Sequence, residues 1–537
     1  MTADVPPWPA EFARRYREAG YWLDRPLGDW VWRRADEHGD RTALVDGATR
    51  LGFRELAELG DRFAELLRRR GLRRGDRVLV QLPNCWEFVA VLLGCFRAGV
   101  APVLALLPHR EHELRYLVEH TEPRLVVVPD VARGFDHQEL AARLLPGAVA
   151  VVGTNVHDGH LDVRRDLSHG RFSADLRSRL DEQAPHAGEI ALYLLSGGTT
   201  GTPKLIGRTH NDYEYCWRTI GRHAGAEPDT VYLVTLPAAH NFPLGGPGIL
   251  GTLAAGGRVV LSPSPNPEKA FELIARERVT LTSLVPAVAQ RWAEAAGPGL
   301  ETLAVVQVGG SVLAPALARR IRDALDVRLQ QVFGMAEGLL CCTRQEDDDD
   351  VALHTQGRPI SEADEILVVD GDDSPVPVGE VGELLTRGPY TPRGYFRAEA
   401  HNRTRFTEDG WYRTGDLVRR LPSGHLVVEG RSKDLVNRGG EKVSADEVET
   451  LARELLGLSR VAAVAVPDPR FGERVCLAVA RGPGERVPDL GTVRRVFLAH
   501  GVARFKVPEE VAALDTLPLT PVGKVDKQAV RRLVSEG

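Results

Sequence analysis

From residue 42 onward, short β-rich runs alternate with helical periods, and this alternation limits the chain to α/β layers built on largely parallel sheet. The runs include RVLVQLP (77–83), RLVVVPD (124–130), TVYLVTLP (230–237), GRVVLSP (257–263) and LAVVQVGG (303–310). Helical stretches such as Phe53 to Arg70 and Pro267 to Arg278 lie between them. Residues 1 to 40 carry Trp8, Trp22, Trp30 and Trp32 and are expected to form helices docked on the body. Near residue 430 the texture changes. VVEGRSKDLVNRGGEKVSADEVE (427–449) passes from strand through a Gly- and Arg-rich turn to helix, and VAAVAVPD (461–468) and RVCLAVAR (474–481) then supply new strands. The chain therefore divides into a large N-terminal part of layered α/β subdomains, residues 1–432, and a small α+β C-terminal domain, residues 433–537, hinged near Lys433.

Several classes of protein fit poorly. The apolar stretch VLLGCFRAGVAPVLALLP (91–108) is long enough to raise a membrane span. Arg97 sits inside it and Gly99 and Pro102 break it, so a buried helix followed by a buried strand is expected. The six cysteines are scattered without a CxxC pair, which argues against disulfides or zinc and for a reducing cytoplasm. The N-terminal stretch has no apolar signal core. A net charge of −6 disfavours nucleic acid as the main partner. The basic run RRRGLRRGD (68–76) and the acidic run EDDDD (346–350) read as solvated surface, the latter as a loop.

The stretch SGGTTGTPK (196–204) follows the apolar run Ile190 to Leu195. Its glycines allow close backbone approach to a phosphate, and its hydroxyls add donors. A P-loop is excluded because Lys204 is followed by Leu205 rather than Ser or Thr. Lys204 is the first of only seven lysines in a chain whose usual cation is arginine. A compact point charge is the property that distinguishes it.

SGGTTGTPK resembles the phosphate loop of the adenylate-forming superfamily of acyl-CoA synthetases, adenylation domains and luciferases. FGMAEG (333–338), WYRTGDLV (411–418), EGRSKDLVNRGGEKVSADEVE (429–449) and PLTPVGKVDK (518–527) match further motifs in the same order. RTHNDY (208–213), LPAAHNFPL (236–244), VVLSPSPNP (259–267) and LLTRGPYTPRGY (384–395) look like stand-alone aryl-acid AMP ligases, which activate 2,3-dihydroxybenzoate or salicylate for siderophore and antibiotic synthesis. The resemblance implies an ATP-dependent, Mg²⁺-dependent enzyme. It would join an aryl carboxylic acid to AMP, then pass the acyl group to the phosphopantetheine thiol of a carrier protein or to coenzyme A.

The resemblance also implies residue roles. Ser196, Gly197, Gly198, Thr199, Thr200, Gly201 and Lys204 would cover the β- and γ-phosphates. Glu337 would hold Mg²⁺ on the nucleotide, with Gly334 beside it in the same motif. Ala336 stands where many relatives have threonine, so one α-phosphate contact must come from elsewhere. Asp416 would accept the ribose hydroxyls, with Arg431 assisting. Gly309, Gly310 and Val332 would flank the adenine or the aryl ring. Lys524 would bridge carboxylate and α-phosphate in the transition state. Lys433 would be the hinge, and Gly439, Gly440 and Lys442 would line the thiol tunnel.

In the acyl pocket, His240, Asn241 and Phe242 follow a strand-like run, with His240 also in the catalytic set and Asn241 facing the ortho-hydroxyl of the acid. Dihydroxybenzoate ligases carry serine toward the 3-hydroxyl where this chain has Gly246, preceded by Gly245. Glycine offers no hydroxyl there and leaves a void. Two readings stay open: a larger, apolar or bicyclic ring fills the void, or a neighbour such as Leu340 has moved in.

Overall fold

The structure is a computed structural model that describes residues 4–536 apart from 170–172, 197–202, 432–434, 459, 482–485 and 520–524. Its frame is two large sheets. One runs, from edge to edge, through strands Leu205–Thr209, Ile190–Leu195, Ala101–Leu104, Arg77–Val80, Leu125–Pro129, Val149–Val152 and Leu161–Asp162. All its pairings are parallel except the first, which is antiparallel. The second has nine strands, with Val305–Gly309, Leu281–Leu284, Val231–Val234 and Arg258–Leu261 parallel at its centre. Strands such as Leu125–Pro129 and Val149–Val152 are buried along their whole length, as expected when helices cover both faces of a parallel sheet. All five β-rich runs named above are strands, and the helices Phe53–Arg69 and Pro267–Glu277 follow the expected bounds closely.

The apolar stretch 91–108 divides as expected into helix Trp86–Ala98 and strand Ala101–Leu104. Gly60 and Gly94 let that helix press against Phe53–Arg69; a Cβ on Gly94 would lie 2.7 Å from the Gly60 carbonyl oxygen. Arg97 is buried by design of its partners, bonding Asp61 and Asp181 at 2.7 Å each. A buried charge survives when it is paired and hydrogen-bonded. No helix among the described residues is long and apolar enough to cross a membrane. The acidic run corrects the sequence reading: it is not only loop. Asp348 accepts a hydrogen bond from Val351 N at 2.9 Å and caps helix Asp349–His354, where negative charge is favoured.

A four-stranded antiparallel sheet, Glu365–Val369, Val381–Arg387, Tyr412–Arg420 and Leu426–Arg431, closes the large part. Beyond residues 432–434 a separate sheet begins at Leu435–Arg438. It includes Glu441–Ser444, Gly472–Ala480, Val461–Asp468 and Glu510–Leu514. Helices Ala445–Leu456 and Leu490–Ala499 pack with one apolar cluster of this sheet, and Val530 and Val534 of helix Lys527–Glu536 with another.

The small domain docks on the large one through polar contacts. His112 N donates to Gly501 O (3.2 Å) and Ala503 N to Glu113 Oε1 (3.1 Å). The buried Lys506 ammonium lies 3.2 Å from Glu113 across the interface and 2.7 Å from Glu447 on its own side. Burial opposes its charge, but the two carboxylates outweigh it and raise its pKa.

Candidate active site

The two ends of the stretch 196–204 are held together by a pair of strands. Strand Ile190–Leu195 pairs antiparallel with Leu205–Thr209, Leu195 opposite Leu205. Ser196 N donates to Lys204 O (2.9 Å), and Lys204 N donates back to Ser196 Oγ (3.1 Å). A P-loop would lead into a helix; here the residues beyond 202 lead into a strand. Gly197, Gly198, Thr199, Thr200 and Gly201 lie outside the described residues. Ser196 and Lys204 both line a deep cavity between the two domains. Burial lowers the Lys204 pKa, partly offset by the Glu447 carboxylate.

Two turns complete the polar end of that cavity. Glu337 follows strand Arg328–Gly334 and is 8% exposed. Its Oε1 accepts from the Tyr395 hydroxyl at 2.9 Å, and that hydroxyl lies 3.1 Å from Tyr412. Burial, reinforced by the Glu337 charge, pushes the Tyr395 phenol well up, so it remains a donor. Among the described residues no group of three or more His, Cys, Asp or Glu could hold a metal by itself. A single buried carboxylate at this polar end suits Mg²⁺ that takes its remaining oxygens from a nucleotide and water. Asp416 does not line the cavity. It stands two residues along strand Tyr412–Arg420 from Thr414, which does, and pairs in register with Arg431. The Arg431 side chain, Lys433 and Lys524 are outside the described residues.

The other end is largely apolar. Asn241 and Phe242 begin the short helix Asn241–Gly245 and line it together with Leu236, Gly246, Gly309, Val332 and Leu340. Phe242 is the wall. Its ring lies 3.3 Å from where a Cβ on Gly309 would stand and 3.2 Å from one on Gly246. Phe242, rather than Leu340, is the nearest side chain to a Cβ on Gly246, while Leu340 Cδ2 lies over Gly334; Gly246 and Leu340 both line the cavity. Gly334 lines the cavity, but Gly245 does not: it faces Tyr213, whose hydroxyl would be 2.7 Å from an added Cβ.

The small domain supplies the roof. The turn Gly439–Gly440, with Glu441 and Lys442, lines the cavity, as do Phe505 and Lys506. Gly440 has φ +97°, which glycine tolerates, and a Cβ there would lie 2.9 Å from Val285 Cγ1. Gly310 leans on the same valine from the large domain. Across this seam His240 Nε2 lies 3.3 Å from Glu441 Oε1. Burial opposes the His240 imidazolium, yet the Glu441 carboxylate outweighs it and raises its pKa. Burial likewise opposes the Glu441 carboxylate, and His240 holds its pKa down. Phe505 and Lys506 carried no motif-level signal as site residues; Tyr213, Tyr395 and Glu441 lie within the motif stretches 208–213, 384–395 and 429–449, but only their positions in space single them out.

Two family models match the chain. That described as AMP-binding enzyme covers residues 31–396, and that described as AMP-binding enzyme C-terminal domain covers 447–524. The chain is 55% identical to a salicylyl-CoA synthase / salicylate adenylyltransferase of Streptomyces sp, over 98% of this chain and 97% of that protein. It is 50% identical to a 2-hydroxy-7-methoxy-5-methyl-1-naphthoate–CoA ligase of Streptomyces carzinostaticus, over 98% and 96%. Among solved structures, apo MbtA of Mycobacterium smegmatis superposes with a TM-score of 0.76 at 43% identity, covering 99% of each chain.

Proposed function

We propose that this chain, which belongs to the AMP-binding enzyme family, activates a 2-hydroxyaryl carboxylic acid with ATP and transfers the acyl group to a pantetheine thiol. The carrying observation is one cavity with two unlike ends. Lys204 and Glu337 offer opposite charges for a magnesium-bound polyphosphate, and Asn241 and Phe242 line the other end with Gly246, Gly309 and Leu340. The substrate carboxylate oxygen attacks the α-phosphorus, the bond to pyrophosphate breaks, and an aryl-AMP anhydride results. A thiol then attacks the acyl carbon and AMP leaves.

The residues contribute alignment and charge rather than a covalent intermediate. Ser196, Lys204 and the loop 197–201 hold the leaving pyrophosphate. Glu337, fixed by Tyr395, would hold Mg²⁺, which would supply neutralisation of phosphate charge. Asp416 holds the ribose. Lys524 reaches the carboxylate and α-phosphate during the first step. In this structure the roof is Gly439 to Lys442, while Leu519 and Val525, which flank residues 520–524, do not line the cavity. That pose suits the second step, and turning about Lys433 would exchange the two faces.

The acceptor is a carrier-protein or coenzyme A thiol. The names of the relatives at 55% and 50% identity favour coenzyme A as the second reading. An aryl carrier protein would place the chain at the start of siderophore or antibiotic assembly. ATP–pyrophosphate exchange over salicylate, 2,3-dihydroxybenzoate, hydroxynaphthoates and benzoate tests the activation step. Exchange driven by ortho-hydroxy acids supports it, and exchange with none of the panel refutes it.

A further inference from the structure

Tyr213 lies outside the cavity, yet its hydroxyl donates to Asn241 Oδ1 at 3.0 Å. Three features hold it there. It is fully buried in helix His210–Ala224, whose first turn is fixed by Thr209 and Asp212 in a reciprocal cap. The Arg208 guanidinium, bound to Asp212 at 2.5 Å and to Ala336 O at 3.0 Å, lies 5.0 Å from the Tyr213 ring centre. Finally, Gly245 leaves the space the hydroxyl occupies: a Cβ there would stand 2.7 Å from it. Burial pushes this phenol well above its ordinary pKa, so it stays a donor.

This contact decides which end of the Asn241 amide meets the substrate. An amide presents an acceptor oxygen on one side and two N–H donors on the other. Asn241 lines the cavity, and with Oδ1 engaged by the tyrosine hydroxyl its Nδ2 is the donor the amide keeps for a ligand; no hydrogen bond from Nδ2 forms among the described residues. A 2-hydroxyaryl carboxylate turns its phenolic hydrogen inward to its own carboxylate. Its phenolic oxygen is then an acceptor facing outward and needs a donor. An ortho-amino acid keeps one outward N–H after the same internal bond and would confront Nδ2 donor to donor.

We infer that Tyr213 is a positioning residue for specificity: through the gap left by Gly245 it locks the Asn241 amide, so that the site selects aryl acids with a hydrogen-bond acceptor, and not a donor, at the ortho position. The inference rests on the reading above, in which Asn241 faces that position.

The test compares kcat/KM in ATP–pyrophosphate exchange for salicylate, anthranilate and benzoate, using the full chain and the variants Tyr213→Phe, Gly245→Ala and Asn241→Ala. The native enzyme should favour salicylate over both others. Loss of one neutral hydrogen bond should cut the salicylate-to-benzoate ratio roughly threefold to tenfold in Tyr213→Phe. The gap to anthranilate should narrow as well, because the freed amide can turn. Gly245→Ala, which displaces the hydroxyl from the other side, should repeat the pattern and serves if Tyr213→Phe does not fold. Equal losses for all three acids would make Tyr213 merely structural and overturn the inference. So would an Asn241→Ala enzyme that loses discrimination beside a Tyr213→Phe enzyme that keeps it, although the reading of the pocket would then stand. A native enzyme indifferent to the ortho group would overturn both.

Discussion

Neutralising Glu113 should loosen the small domain without touching the cavity's large-domain residues. Lys506 is 4% exposed and sits between two carboxylates, 2.7 Å from Glu447 and 3.2 Å from Glu113. When the small domain swings away, Lys506 and Glu447 leave together, so of this charged trio only the Glu113 contacts break. Those contacts are one charge-assisted bond to Lys506 and one from Ala503 N at 3.1 Å. A hydrogen bond to a charged group is worth about 1.5–3 kcal/mol net, since desolvation of both partners offsets most of the Coulomb gain. At about 1.4 kcal/mol per factor of ten, Glu113→Gln should shift the docking equilibrium roughly tenfold to a hundredfold toward the open form. All six native cysteines are buried. Dye pairs on cysteines introduced at the exposed Asp175 and Arg532 would therefore report the domain separation by energy transfer. Lys506→Gln should act in the same direction, and the double variant should fall short of the sum. Unchanged transfer in Glu113→Gln, or strict additivity, would refute the role given to this pair.

Three further outcomes follow from the site. Gly246→Ser should lower activity toward bulky acids and favour 2,3-dihydroxybenzoate, because its Cβ would stand 3.2 Å from the Phe242 ring and must push it; an unmoved preference in competition assays would place the substrate ring elsewhere. Lys524→Ala should cut pyrophosphate exchange by about 10²–10³-fold, the cost of one preorganised charge, while thioester formation from supplied aryl-AMP survives; equal loss of both steps would contradict its role. The His240–Glu441 seam should also make docking depend on pH. The raised His240 pKa contributes stability that is complete below the undocked value and lost as pH rises through the docked one. The lowered Glu441 pKa contributes stability above its undocked value, lost as pH falls through the docked one. Docking should thus be tightest between the two and weaken on the alkaline side, over a titration of roughly pH 5 to 9 read by the same dyes. His240→Gln should flatten the alkaline limb, and a limb that persists would assign it to other groups.

Much of the frame is legible in the sequence because periodicity is a local property. The strand runs at 77–83, 124–130 and 303–310 announce themselves by β-rich composition, and the helix-then-strand break at Gly99 and Pro102 is equally local. Motif residues such as Ser196, Lys204 and Glu337 reach one cavity because each sits at a strand end or the turn beyond it, and Asn241 reaches it at the start of a short helix that follows a strand. What escaped is contact across the chain. His240 and Glu441 are 201 residues apart, and Lys506 meets Glu113 through a docking angle that no periodicity encodes. Gly245 shows the same limit from the other side. Beside Gly246 it reads as pocket lining, yet one step along a helical turn points it away, at Tyr213. The acidic run at 346–350 reads as loop because a capping aspartate and a solvated one look alike until the helix after it is known.

The most direct test of the account is a single turnover without thiol. The enzyme, in excess over salicylate, is mixed with ATP labelled in the α-phosphate and Mg²⁺, and the quenched products are separated. Label should move into salicyl-AMP, about one per enzyme-bound acid, with equimolar pyrophosphate, and added pantetheine thiol should then convert the anhydride to thioester and free AMP. Release of ADP and phosphate, or persistence of ATP with no labelled anhydride, would contradict it.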